Sequence, residues 1–291
     1  MANSPSEEIA LDATAVRALL RDAAPHLEGL PLMRVADGWD NTIWRLGDDL
    51  AVRLPRRELA AALILREQTA LAVFGPRLAD IGIRAPSPVV CGRPGPVFAW
   101  PWSVVPWIDG QPALARSRTE NSTWAPDLAR VLGVLHQPAP AETPRNPVRG
   151  VPLARRDAAL APRLAQLADR PALREAWAAG LSAPSSTECV WIHGDLHPGN
   201  VLVDDGALVA LIDFGDVTAG DPAYDLAAGW MLFDEPGRAV FRHATGSRYD
   251  ENTWVRARAW AAYIAATLLT ESDDRAEYRE IGASTADALA L

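Results

Sequence analysis

Asp195, Asn200 and Asp213 stand five and thirteen residues apart within the run from Trp191 to Ala227. Their types suit the transfer of a phosphoryl group. One carboxylate can accept the proton of an attacking hydroxyl. An amide oxygen and a second carboxylate can hold the magnesium ions that neutralise nucleotide phosphates. The stretch after Asn200 reads as an apolar strand, an Asp204-Asp205-Gly206 turn and a second apolar strand. A hairpin returns its end to its start, so this spacing predicts that Asp213 comes back beside Asn200 and that both reach one ion. Magnesium takes few protein oxygens besides phosphates and water, so two ligands suffice.

The same stretch admits a rival chemistry. His193, Asp195 and His197 alternate, which on a strand puts all three on one face. Two imidazoles and a carboxylate are good zinc or iron ligands for a hydrolase. Against this, Pro198 and Gly199 turn the chain directly after His197. The other histidines, His26, His136 and His243, form no ligand-spaced cluster.

The elements that must position these residues can be read from apolar periodicity. Residues 12–23 form an amphipathic helix. Leu32 to Trp39, Thr42 to Leu46 and Leu50 to Leu54 are strands, the last two joined by a turn at Gly47-Asp48-Asp49. Arg56 to Leu78 is a long helix. Val89 to Cys91 and Val97 to Ile108 are strands limited by Pro94, Pro101 and Pro106. After Asp109-Gly110 the pattern becomes helical. Thr123 to His136 is a helix, residues 138–152 are a proline-rich loop, and Leu153 to Leu181 is helical with interruptions near Pro162 and Pro171. Short strands surround the motif, and helices follow from Asp221 onward. This order predicts an α+β fold in two lobes: a small β-rich N-lobe over residues 1–108 and a larger, mainly helical C-lobe over 109–291.

Composition narrows the classes. The chain has 291 residues and a net charge of −9. Nucleic acid is an unexpected partner for so acidic a protein, whereas an acidic cleft favours a cationic small molecule. No lysine occurs, which excludes a lysine nucleophile or Schiff base and leaves arginine as the only phosphate clamp. No apolar run reaches the roughly 18 to 20 residues of a membrane span. The N-terminus is polar and acidic, without the layout of a signal peptide. Cys91 and Cys189 read as two buried, reduced thiols, which fits a cytoplasmic protein.

The run His193-Gly194-Asp195-Leu196-His197-Pro198-Gly199-Asn200, with Ile212-Asp213-Phe214-Gly215-Asp216 and Gly220-Asp221-Pro222-Ala223-Tyr224-Asp225-Leu226-Ala227, resembles the aminoglycoside and macrolide phosphotransferase family. The likeness extends over almost the whole chain, including residues 101–113. That family shares the protein-kinase-like fold with choline, homoserine and fructosamine kinases. The resemblance implies that Asp195 is the catalytic base, that Asn200 and Asp213 hold Mg2+, and that ATP or GTP is the phosphate donor. It implies that His193 supports the catalytic loop, and that Asp216, Asp221 and Asp225 are structural, with Asp221 suited to cap a helix and Asp225 to brace that loop.

In the N-lobe, Leu50-Ala51-Val52-Arg53-Leu54 is similar to the strand that carries the family's phosphate-binding lysine. Arg53 takes that place here and can bind phosphate in a forked geometry. Glu67 resembles the helix glutamate that pairs with this cation. A phosphate loop is expected at Asp37 to Thr42, with Gly38 and Asn41 in it, although it carries one glycine and no GxGxxG. Main-chain groups of Val105 and Trp107 are expected at the nucleotide base.

The acceptor is expected on the C-lobe, near Trp230, Asp234, Glu235, Glu271, Asp273 and Asp274, where carboxylates and an aromatic wall suit an amine-bearing substrate. The whole reads as a small-molecule O-phosphotransferase acting on an antibiotic hydroxyl. A metabolite kinase is the alternative, and a nucleotide-binding pseudokinase is a further one, on the strength of Arg53 and the poor glycine loop.

Overall fold

The computed structural model describes residues 7–143, 145–186, 188–272 and 275–290. Among these, residues 7–109 with 211–215 form one compact unit, and residues 110–210 with 216–290 form a second.

The first unit opens with helix α1 (Ala13–Ala23), capped by the Asp12 carboxylate on the Ala15 N–H at 2.8 Å. Strands β1 (Leu32–Asp37), β2 (Asn41–Leu46) and β3 (Leu50–Pro55) follow as an antiparallel meander. Helix α2 (Glu58–Ala79) leads to β4 (Val90–Gly92) and β5 (Trp102–Pro106). The sheet order is β1-β2-β3-β5-β4. Its core joins Val16, Leu19 and Leu20 of α1 to Trp44, Leu46, Val52, Leu54, Phe98, Trp102 and Val104. The strand expected over Val97 to Ile108 is shorter than its apolar run. Pro101 precedes β5 and Pro106 ends it, because neither can donate to a ladder.

The second unit pairs β6 (Gln111–Pro112) with the later motif strands and carries α3 (Arg118–Asn121), α4 (Ala125–Leu135), α5 (Asp157–Gln166) and α6 (Pro171–Ser182). Then come β7 (Val190–Ile192), β8 (Val201–Asp204), β9 (Ala207–Leu211) and β10 (Thr218–Gly220). The small sheets are β6-β8-β9 and β7-β10. The chain ends in α7 (Ala223–Leu226), α8 (Ala228–Leu232), α9 (Glu235–Ala244), α10 (Glu251–Glu271) and α11 (Ala276–Leu289). Helix α10 is buried along most of its length among its helical neighbours, with Trp254, Trp260 and a run of alanines inside.

The hairpin expected after Asn200 is formed by β8 and β9, with Asp205 and Gly206 both at positive φ, 45° and 78°. Pro162 lies inside α5 rather than interrupting it; it is exposed, so the carbonyl it leaves without a partner can meet water. The thiols are not both buried as expected: Cys91 is exposed, Cys189 half-buried, and both are free. Among the described residues, no helix is long and apolar enough to cross a membrane.

Candidate functional site

In the first unit, β3 and α2 bring Arg53 and Glu67 together. Arg53 Nη1 donates to Glu67 Oε2 at 2.9 Å. The same carboxylate oxygen accepts the main-chain N–H of Phe214 at 3.1 Å. Arg53 Nη2 lies 3.6 Å from Asp213 Oδ1. Burial pushes the Glu67 carboxyl above its ordinary range, and Arg53 offsets part of that. Burial also works against the Arg53 charge, but Glu67 and Asp213 outweigh it and the guanidinium is held more firmly protonated. Arg53 Nε and Glu67 Oε1 are buried without a hydrogen-bond partner among the described residues.

Asp213 stands at φ 65°, a left-handed conformation uncommon for a residue with a side chain. Its side chain is 47% exposed. A strained carboxylate presented to solvent is a sign of preorganisation.

The expected phosphate loop is the β1–β2 turn. The Gly38 N–H donates to Asn41 O at 2.8 Å. Arg56 Nη1 donates to Gly38 O at 2.9 Å, and Arg57 Nη2 to Asp40 Oδ1 at 2.6 Å. The loop is therefore fixed from outside. The Asn41 Oδ1 is buried without a partner among the described residues. Val105 lies in β5 opposite Ala51. The Trp107 N–H donates to Asp49 O at 2.7 Å, so that donor is already engaged.

In the second unit, Asp195 sits in a loop whose backbone is held from below. Asp225 accepts the N–H of His193 at 2.6 Å through Oδ2 and that of Gly194 at 3.0 Å through Oδ1. His136 Nε2 meets Asp225 Oδ2 at 3.1 Å, and its Nδ1 lies 2.7 Å from the Tyr249 hydroxyl. Asp225 thus braces the loop. Gly194 is required: it has φ 80°, and a Cβ there would lie 2.4 Å from Asp216 O. His193 is fully buried, and its Nδ1 accepts the Asp195 N–H at 3.3 Å.

Asn200 turns its amide nitrogen to Asp195, 2.9 Å from the main-chain O and 3.3 Å from Oδ2. That commitment turns the amide nitrogen, not the oxygen, toward Asp195. Burial pushes the Asp195 carboxyl up, but the Arg149 guanidinium and the His197 and His193 rings outweigh it and hold it below the usual carboxylate range. Asp195 is accordingly ionised and can accept a proton.

The Asn200 amide oxygen and the exposed Asp213 carboxylate are each oxygen donors of the kind magnesium takes. Among the described residues, no group of three or more His, Cys, Asp and Glu side chains is arranged to hold a metal. His193 and His197 therefore do not form the zinc or iron cluster that their alternation allowed.

Residues 31–260 match the phosphotransferase enzyme family, APH. The chain belongs to that family. A homoserine kinase from Pseudomonas aeruginosa (strain LESB58) is 32% identical over 139 residues, which are 44% of this chain and 41% of that enzyme. The match thus spans less than half of that relative. Among solved structures, the GDP and kanamycin complex of APH(2")-IIia aligns with a TM-score of 0.69 at 18% identity, over 94% of this chain and 98% of the other. Macrolide 2'-phosphotransferase MphH from Brachybacterium faecium aligns with a TM-score of 0.62 at 25% identity, over 93% and 98%. Macrolide 2'-phosphotransferase type I aligns at 0.61 and 23%, over 98% and 99%. The chain therefore has the kinase-like fold, with an N-terminal antiparallel sheet followed by a mostly helical part.

The described residues expected at the acceptor lie on α8, on α9 and its N-cap, and at the end of α10. Asp234 caps α9, accepting from the Gly237 N–H at 2.9 Å and from Ser122 Oγ at 2.7 Å. Glu235 lies in the first turn of α9. Trp230 is buried against Trp254, with Arg238 over its ring. Glu271 pairs with Arg163 at the end of α10. Asp273 and Asp274 lie outside the described residues. Asp221 does not cap α7 as the N-cap residue, a place Pro222 takes; it accepts from the Ala223 N–H at 3.0 Å and pairs with buried Arg256 at 2.6 Å.

Two residues that the sequence did not single out are Arg149, which donates to Asp195, and Asn146, which holds Arg149 and Asp216. Their signal was the Asn146-Pro147-Val148-Arg149-Gly150 run in a segment read only as a proline-rich connection.

Proposed function

We propose that this chain is a small-molecule O-phosphotransferase that moves the γ-phosphate of ATP or GTP to a hydroxyl. The observation that carries this reading is the Asn200 amide turned onto Asp195, which pairs an ionised carboxylate with an amide oxygen left for a metal. Asp195 orients the acceptor hydroxyl and takes its proton. The hydroxyl oxygen bonds to the γ-phosphorus as the bond to the bridging oxygen breaks, and ADP or GDP leaves. Asn200 and Asp213 would hold magnesium, which would supply neutralisation of the phosphate charge. Arg53, set by Glu67, steadies the donor phosphates. The β1–β2 turn that holds Gly38 and Asn41 covers them, and main-chain groups of Val105 and Trp107 other than the engaged Trp107 N–H meet the base. Catalysis is mainly positioning and charge neutralisation.

The acceptor class we favour is an antibiotic of the aminoglycoside or macrolide type, supported by the structural likeness to enzymes of both kinds. A metabolite kinase is the second reading, favoured by the 32% match to a homoserine kinase. The donor nucleotides make the cytoplasm the compartment this reaction needs.

Thermal melting with ATP or GTP, with and without magnesium, tests the nucleotide site. A ligand at 100 times its Kd stabilises by about 2.7 kcal/mol, which is roughly 5 to 10 °C for a chain of this size. A magnesium-dependent shift supports the reading. No shift with either nucleotide contradicts it, and a shift without any turnover leaves a pseudokinase.

A further inference from the structure

Arg149 Nη1 donates to Asp195 Oδ1 at 2.7 Å and to the Tyr224 hydroxyl at 3.2 Å. Its Nη2 lies 2.8 Å from Asp216 Oδ2. One planar guanidinium therefore ties together two carboxylates that would otherwise repel. On the other side of Asp195, Oδ2 meets Asn200 Nδ2 at 3.3 Å and lies 3.7 Å from His197 Nε2. The carboxylate is held from both sides, more tightly at Oδ1 than at Oδ2.

The loop under Arg149 is built to deliver it. Asn146 Oδ1 accepts the N–H groups of Val148 at 2.9 Å and Arg149 at 3.1 Å. The Asn146 N–H donates to Thr218 Oγ1 at 2.8 Å, and its Nδ2 to Asp216 Oδ1 at 3.0 Å. Gly150 O accepts the Asp221 N–H at 2.9 Å. Gly150 has φ 63°, and a Cβ there would lie 2.5 Å from Ile192 Cδ1. These contacts anchor both ends of the turn, so Arg149 is not a free surface side chain.

We propose that Arg149 is a positioning residue for phosphoryl transfer: it fixes the orientation of the Asp195 carboxylate and keeps Asp216 from taking its place. The assignment rests on the reading of Asp195 as the base. Arg149 acts through Asp195 and needs no contact with the acceptor.

The test is magnesium-dependent hydrolysis of ATP and GTP, with water as acceptor, on wild type, Arg149→Ala, Arg149→Lys, Asp195→Asn and the Arg149→Ala/Asp195→Asn double variant. Arg149→Ala lowers kcat about 10²-fold, the scale of a misplaced reacting group, with nucleotide KM changed no more than about twofold. Arg149→Lys recovers only part, because an ammonium cannot bridge two carboxylates in a fork. In the Asp195→Asn background, removing Arg149 costs nothing further, since both act in one unit. Wild-type turnover with an unaffected Arg149→Ala variant overturns the positioning role alone. So does a loss that is fully retained in the Asp195→Asn background, or loss of cooperative melting in both Arg149→Ala and Arg149→Lys, which makes the arginine structural. A wild type with neither turnover nor nucleotide-dependent melting overturns the base assignment and this role with it.

Discussion

Glu67 accepts the main-chain N–H of Phe214, 147 residues further along the chain, at 3.1 Å. The same oxygen takes the Arg53 guanidinium at 2.9 Å. One buried carboxylate thus fixes the Arg53 guanidinium and the segment that holds Asp213 in its left-handed conformation. Removing it strands a buried charge. Glu67→Ala is expected to cost about 3 to 5 kcal/mol, as when one partner of a buried pair is deleted. Urea unfolding measures this, and a loss below about 1 kcal/mol, the range of an exposed pair, contradicts the role.

Gly194→Ala is expected to abolish turnover while leaving most of the fold in place. The new Cβ would meet a main-chain oxygen at 2.4 Å at φ 80°, and backbone strain of this kind costs on the order of 1 to 3 kcal/mol. The loop must shift, and Asp195 shifts with it. Circular dichroism together with a hydrolysis rate checks this. Wild-type kcat in this variant would show that the loop tolerates the shift.

Asp225 carries a pH prediction. Burial pushes its carboxyl up, but the hydrogen bond and charge of His136, the His193 ring and the Gly194 N–H outweigh that, so in the fold it sits below the 3.8 of the unfolded chain. The folded state then binds this proton more weakly than the unfolded one. Its contribution is fully present above about pH 4 and is lost as pH falls through 3.8 toward the folded value. Asp225→Asn is expected to be less stable near neutral pH, by about 1 to 3 kcal/mol for lost charge-assisted bonds. Its stability should also fall less steeply than wild type on acidification. Parallel acid limbs in the two proteins would contradict the shift.

Asp213→Asn tests the metal. An amide replaces the carboxylate with a neutral ligand, so the magnesium-dependent part of the nucleotide melting shift is expected to shrink. A shift equal to wild type, at the same nucleotide and magnesium concentrations, would remove Asp213 from the metal site.

Much of this architecture could be read from local pattern. The meander β1 to β3, the length of α2 and the Asp204-Asp205-Gly206 hairpin all follow from periodicity and turn residues that act within a few positions. The pairing of Arg53 with Glu67 came from the family likeness and is present at 2.9 Å. What was hidden depends on distant contacts. Arg149 finds Asp195 46 residues away, a partner that the Asn146–Gly150 turn around it does not specify. The position of Asp234 directly before Glu235-Pro236 also marks it as the N-cap of α9, a role that the acceptor expectation did not include. Cys91 was read as buried from residue type alone, but its place on the edge strand β4 leaves it exposed.

If Asp195 is the base of a phosphoryl transfer, product formation is the most direct measurement of its role. ATP and GTP with magnesium are offered with kanamycin, a macrolide and L-homoserine, and phosphorylated acceptor is sought by mass spectrometry for wild type and Asp195→Asn. Phosphorylated acceptor from wild type, reduced at least 10²-fold in Asp195→Asn as for a lost general base, is the predicted result. Equal product from both proteins would contradict the central claim.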